Sequence, residues 1–358
     1  MNNLILTLPG ILGNTVSKFG NRPAFTFVGE KGLTYNEFQS NVNSTIAWLE
    51  KLGVGKSDKV AILSANMPNW AVAYFATASM GAVAVPILPD FSNDEVTNVL
   101  NHSEAETIFV SEALVKKLDP SVKSLRNIIT IENLMLAGDN PGIPVYEEGA
   151  LPSGNYSVEE EDLLAIIYTS GTTGKSKGVM LTHKNVCSNA IIGKKIQEIN
   201  ETDRFLSILP LSHTFENTLG MIIPVMSGSA VNYLRKPPTA SVLLPALKEV
   251  RPTIMLAVPL IIEKIYFSSV RPALTKSRVM KSLYSIPPFR KLLHGVAGKK
   301  LKATFGGEMK FFGIGGAKLN TSVERFLKEG GFPYAIGYGL TETSPLIAGL
   351  GPFRTKLE

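Results

Sequence analysis

Residues 163–168 read Leu-Leu-Ala-Ile-Ile-Tyr and run directly into Thr169-Ser170-Gly171-Thr172-Thr173-Gly174-Lys175-Ser176-Lys177-Gly178. An uninterrupted apolar run this short and rich in β-formers predicts a strand buried on both faces, as in a parallel sheet covered by helices. The loop at its end combines glycines, hydroxyl side chains and lysines. Glycine lets backbone N–H groups approach phosphate oxygens, Ser and Thr donate hydrogen bonds, and lysine neutralises charge. The combination predicts a phosphate site at the carboxyl end of a buried strand. A Walker loop ending at Gly174-Lys175-Ser176 needs glycine at position 169, where this chain has Thr169. That geometry is excluded.

The rest of the chain is compatible with this frame. Helical and strand patterns alternate, which argues for an α/β fold of layered, mostly parallel sheets covered by helices. Thr34 followed by Glu37 predicts a capping box opening a helix with apolar Phe38, Ile46 and Leu49. Residues 59–64 and 107–110 read as short buried strands, 139–155 as a surface connection rich in Gly, Pro and Asn, and Glu159-Glu160-Glu161-Asp162 as a solvated approach to a strand. With 358 residues, 44% of them hydrophobic, the chain can bury a large core divided between lobes.

Composition removes several classes. Cys187 is the single cysteine, so no internal disulfide forms and a reducing, cytoplasmic setting is expected. His102, His183, His213 and His294 are scattered, without the spacing of a zinc site. The first six residues lack a basic n-region and read as part of the mature protein. Residues 70–88 carry no charge over a length that would span a membrane, but Gly81 divides them and Pro86 and Pro89 mark an exit. A buried helix over 70–80 followed by a strand over 82–88 is expected instead.

The net charge of +6 is unevenly placed. Nine basic residues and no Asp or Glu lie between Ile265 and Gly307, so the remainder nets −3. Leu274, Val279, Leu283, Tyr284, Ile286, Leu292 and Leu293 are interleaved with those cations. Two readings stand for 271–302: a solvated helix face, or a surface that meets anionic phospholipid and holds the protein peripherally on a membrane. No nucleic-acid-binding motif accompanies the charge.

The segment TSGTTGKSKGVMLTH resembles the phosphate-binding signature of the adenylate-forming superfamily, which comprises acyl-CoA synthetases, luciferases and peptide-synthetase adenylation domains. Ser176 stands where that signature has proline, and the signature's phosphate lysine falls on Lys177, with Lys175 at a variable position. Residues 209–216 (LPLSHTFE) resemble the family's Pro-x-x-His segment through His213, and 311–319 (FFGIGGAKL) resemble its strand and Gly-Gly-Ala turn, Gly315-Gly316-Ala317, with Lys318 in place of proline. Residues 337–345 (GYGLTETSP) match its most diagnostic motif. The whole is most similar to long-chain fatty acyl-CoA synthetases, also through Arg251-Pro252-Thr253 and Glu263-Lys264-Ile265-Tyr266; Leu260 departs from the arginine common there.

The resemblance implies an N-terminal adenylation core with lobes at roughly 48–205 and 206–345, residues 1–47 packing on the second. It implies ATP, Mg²⁺ and coenzyme A as cofactors, a long-chain fatty acid as substrate, and an arrangement compatible with a homodimer. Thr169, Ser170, Gly171, Thr172, Thr173, Gly174 and Lys177 would hold the pyrophosphate half. Gly315, Gly316, Ala317, Tyr338 and Gly339 would border adenine, Thr341 would bond the α-phosphate, and His213 would stand between acyl carboxylate and phosphates. Glu342 would ligate the metal, a hard oxygen donor suited to Mg²⁺. The sequence ends sixteen residues after Glu342, before the ribose-binding Asp, the hinge and the lid domain of the family. Two functions therefore stand: the core of an AMP-forming ligase that needs a lid, or a nucleotide- and fatty-acid-binding module.

Overall fold

The computed structural model describes residues 6–136, 146–169 and 176–355. Its strands are β1 (Pro23–Phe27), β2 (Leu33–Thr34), β3 (Lys59–Leu63), β4 (Val83–Ile87), β5 (Thr107–Val110), β6 (Asn127–Thr130), β7 (Met135–Leu136) and β8 (Leu163–Thr169). They continue with β9 (Lys177–Thr182), β10 (Arg204–Ser207), β11 (Ala230–Tyr233), β12 (Ile254–Ala257), β13 (Phe311–Ile314), β14 (Tyr334–Gly339) and β15 (Leu346–Gly349). Two sheets result. One has seven strands in the order β7-β6-β5-β3-β4-β8-β9, and the other eight in the order β15-β14-β13-β12-β10-β11-β1-β2. Both are parallel in their interiors and antiparallel only at their edges, as the near-continuous apolar runs of β3, β4 and β12 require.

Helices Tyr35–Lys51 and Pro68–Ser79 pack against each other, and their side chains join Val60 and Ile62 of one sheet and Phe205 and Val231 of the other in one core. The first helix starts where expected: Thr34 accepts from the Glu37 N–H, and the Glu37 carboxylate accepts from the Thr34 N–H. The second is buried on every side from Trp70 to Ala78, which explains a segment without charge. Burying side chains such as Val72 and Phe75 contributes roughly 1.5–3 kcal/mol each. The uncharged stretch at 70–88 is thus a core helix followed by β4. Among the described residues no helix is long and apolar enough to cross a membrane.

Candidate functional site

In an open parallel sheet, ligands collect at the carboxyl ends of the strands, where successive connections leave in opposite directions. In the eight-stranded sheet that point lies between β10 and β12: the chain passes from β10 to β11 on one side, then to β12, β13 and β14 on the other. A cavity of about 370 Å³ opens there. Its walls come from the segment after β10 (Leu209, Pro210, His213, Phe215, Glu216), from Val258 after β12, from Gly315 and Gly316 after β13, and from the end of β14 onward (Tyr338 to Glu342). Thr169, at the end of β8 in the other sheet, completes it.

Eight of the residues singled out from sequence line this one cavity: Thr169, His213, Gly315, Gly316, Tyr338, Gly339, Thr341 and Glu342. Lys177 and Ala317 do not line it. Lys177 pairs directly with Thr169 across the antiparallel β8–β9 ladder, one strand width from the wall, and is exposed. Ala317 is the exposed residue following Gly316. Ser170, Gly171, Thr172, Thr173 and Gly174 lie outside the described residues.

Two asparagines that carried no sequence signal fix the walls. Asn66, just beyond β3, donates to the Ser207 hydroxyl at 2.9 Å and the Leu209 carbonyl at 2.6 Å, and accepts from the Leu211 N–H at 2.9 Å. Asn189, on helix His183–Lys194, donates to the carbonyls of Thr343 (2.9 Å) and Leu346 (2.8 Å) and accepts from the Leu346 N–H (3.1 Å). Each amide saturates backbone groups that a loop would otherwise leave unpaired. The His213 segment and the Thr341–Glu342 turn are thereby tied to elements preceding β10. Neither contact is readable from sequence, because the partners lie more than 140 positions apart.

Glycine is obligatory at two wall positions. Gly316 has φ of +88°, a conformation side chains rarely adopt. A Cβ on Gly339 would stand 1.9 Å from the Pro345 carbonyl oxygen.

The electrostatics favour neutral donors. His213 opens on the cavity, yet the protein walls around it hold its imidazole below the usual histidine range. Its Nδ1 accepts from the Phe215 N–H at 3.2 Å, so the neutral ring carries its proton on Nε2. Glu216 is buried, one of its carboxylate oxygens has no partner among the described residues, and burial pushes its pKa up to about 8. Glu342, by contrast, is exposed. Phe215–Ile222 is wound as a π-helix beside the cavity, a form that concentrates at functional sites.

A second, apolar void of about 50 Å³ continues from the first. Phe215, Gly337 and Leu346 line both, and Ile196, Ile223, Leu256 and Ile336 extend it.

The family model for the AMP-binding enzyme matches residues 12–357. Among curated proteins, the chain is 29% identical over 348 residues to the peroxisomal long chain acyl-CoA synthetase 6 of Arabidopsis thaliana, covering 89% of this chain and 49% of that protein. It is likewise 29% identical over 356 residues to long-chain-fatty-acid–CoA ligase FadD15 of Mycobacterium bovis, covering 88% and 57% respectively. The chain therefore spans about half the length of the curated relatives it matches. Among solved structures, anthranilate CoA ligase AuaEII in complex with anthranoyl-AMP superposes with a TM-score of 0.76 at 19% identity, over 99% of this chain and 63% of that one. The N-terminal domain of FACL13 from Mycobacterium tuberculosis superposes with a TM-score of 0.74 at 22% identity, over 97% and 79%.

Proposed function

Because the chain belongs to the AMP-binding enzyme family, we propose that it is the ATP-holding part of a long-chain fatty acid–CoA ligase. The observation that carries this reading is the convergence of Thr169, His213, Tyr338, Thr341 and Glu342 on one cavity at the switch point of a parallel sheet. In this reading the two sheets belong to lobes at roughly 48–205 and 206–345, with 1–47 packed on the second. In the family a lid domain completes adenylation, and this chain spans about half the length of the curated relatives it matches.

The chemistry is two displacements. A fatty carboxylate oxygen attacks the α-phosphorus of ATP in line, the new O–P bond forms, and pyrophosphate leaves. The thiol of coenzyme A then attacks the acyl carbon, and AMP leaves. No bond to the protein is needed, so the chain acts by position and by charge. Thr341 bonds the α-phosphate, and Thr169 with Lys177 and residues 170–174 holds the departing half. The exposed Tyr338 ring offers a stacking face for adenine beside Gly315, Gly316, Ala317 and Gly339. His213 offers its Nε2–H to an oxygen of the carboxylate or phosphate. A protonated Glu216 keeps a second negative charge away from the triphosphate.

Mg²⁺ fits the donor set. It binds through one or two carboxylates together with substrate phosphates and water, and the exposed Glu342 supplies one such carboxylate on the cavity wall. When bound, the ion neutralises the pyrophosphate. The apolar void behind Phe215 supports an acyl-chain site, since its walls offer dispersion contacts and few polar groups.

Pyrophosphate release from ATP and palmitate, measured with and without a separately supplied lid domain, tests the proposal. Release and acyl-CoA formation only with the lid are expected. Nucleotide binding with no turnover under either condition would leave a binding module and refute the ligase.

A further inference from the structure

A third cavity, of about 300 Å³, shares no residue with the adenylate site. Arg271, Arg290 and Arg325 line it together with Tyr284, His294 and Ser322. The Arg290 guanidinium is fixed by the Glu329 carboxylate through Nε at 3.2 Å and Nη2 at 2.9 Å. Glu329 lies 2.7 Å from Nδ1 of the buried His294, whose Nε2 is 2.9 Å from the Tyr284 hydroxyl, itself 3.0 Å from that of Tyr266. This chain of contacts braces one wall. Arg271 and Arg325 are exposed and have no carboxylate within ion-pair distance among the described residues. Of the three guanidinium groups only that of Arg290 is paired with a carboxylate among the described residues, and the cavity is left with an excess of planar, multiply donating cations. Such an arrangement recognises a phosphate group.

The surroundings indicate what carries that phosphate. Between Ile265 and Gly307 there are nine basic residues and no acidic one. The same stretch exposes Phe267, Val279, Ile286, Phe289, Leu292 and Val296 to solvent. A small soluble phosphate needs no such apolar side chains. A bilayer interface accommodates both, with cations at the headgroups and apolar side chains at the acyl boundary.

We propose that the cavity bounded by Arg271, Arg290 and Arg325 binds the phosphate headgroup of an anionic phospholipid, with the apolar side chains of 267–296 lying in the membrane interface beside it. This inference does not depend on the ligase reading, because it uses none of that site's residues.

The test is sedimentation with phosphatidylcholine vesicles containing phosphatidic acid or, at matched surface charge, phosphatidylserine. Three proteins are compared: the unaltered chain, Arg271→Gln/Arg325→Gln, and Lys299→Gln/Lys300→Gln. Both pairs are exposed, so folding is expected to survive, and circular dichroism checks this. Diffuse attraction is worth about fivefold per charge for either pair. A built phosphate site predicts a further loss of about tenfold or more for the arginine pair alone, and a preference for phosphatidic acid that this variant lacks. Equal losses from both pairs, with no headgroup preference, would overturn the site. Titration with glycerol 3-phosphate forms the soluble arm. Binding there without vesicle binding would overturn the lipid as carrier, and binding to neither would overturn the proposal entirely.

Discussion

Replacing Glu216 by glutamine keeps the size of a buried side chain on the cavity wall and its capacity to bond the Ser207 hydroxyl, but removes the titrating proton. In the folded protein burial raises the carboxyl from an ordinary 4.5 to about 8. Between those values the unfolded chain has lost the proton and the folded chain has kept it. The unfolded state therefore binds fewer protons, and stability falls as pH rises through the window, levelling above the folded value. A difference of about 3.5 pH units at about 1.4 kcal/mol each gives roughly 5 kcal/mol in full, of which about 3 has been lost by pH 7. The glutamine variant is free of this term. Urea denaturation of both proteins from pH 5 to pH 9 should show the variant gaining on the parent by roughly 3 to 5 kcal/mol across the series. Any constant offset from altered packing cancels in that comparison. Parallel profiles would refute the reasoning, since they would mean that Glu216 ionises alike in both states.

Three further outcomes are expected. In a lid-complemented assay, Lys177→Ala should lower adenylation by about two to three orders of magnitude and Lys175→Ala far less, because Lys177 is the residue held opposite Thr169; equal losses would place the phosphate lysine elsewhere. Glu342→Gln should raise the Mg²⁺ concentration needed for half-maximal rate without changing the denaturation midpoint, as the side chain is exposed; an unchanged Mg²⁺ dependence would remove Glu342 from the metal. Asn189→Ala breaks three hydrogen bonds to the 343–346 segment and should destabilise the protein by about 1–3 kcal/mol while weakening nucleotide binding; full affinity would show that the Thr341–Glu342 turn holds its own geometry.

How far the sequence reveals this arrangement depends on the range of the interactions involved. Local rules suffice for the capping box at Thr34 and Glu37, for the division of 70–88 into helix and strand, and for the buried strand β8. Each involves residues a few positions apart, where propensity and periodicity act. The motifs carrying His213, Gly315–Gly316 and Tyr338–Glu342 are likewise contiguous, and one cavity brings them together because β10, β12, β13 and β14 end on the same side of one sheet. Strand order, by contrast, is set by contacts distant in sequence, and so are the clamps made by Asn66 and Asn189. Glu216 illustrates the same limit differently. Its place beside His213 is visible in the motif, but its raised pKa follows from burial beside Ser207 of β10 and Tyr233 of β11. The arginine cavity is legible only as a basic stretch, since Arg325 comes from a helix far along the chain from Arg271 and Arg290.

The central claim, that the cavity at the ends of β10 and β12–β14 holds the adenylate, is tested most directly by calorimetric titration with a non-hydrolysable palmitoyl-adenylate analogue. The unaltered chain and its Thr341→Val and Tyr338→Ala variants would be compared. One molecule bound per chain is predicted, with affinity falling about tenfold or more in each variant, through loss of the phosphate bond in the first and of the stacking face in the second. No binding to the unaltered chain, or binding that neither substitution weakens, would contradict the account.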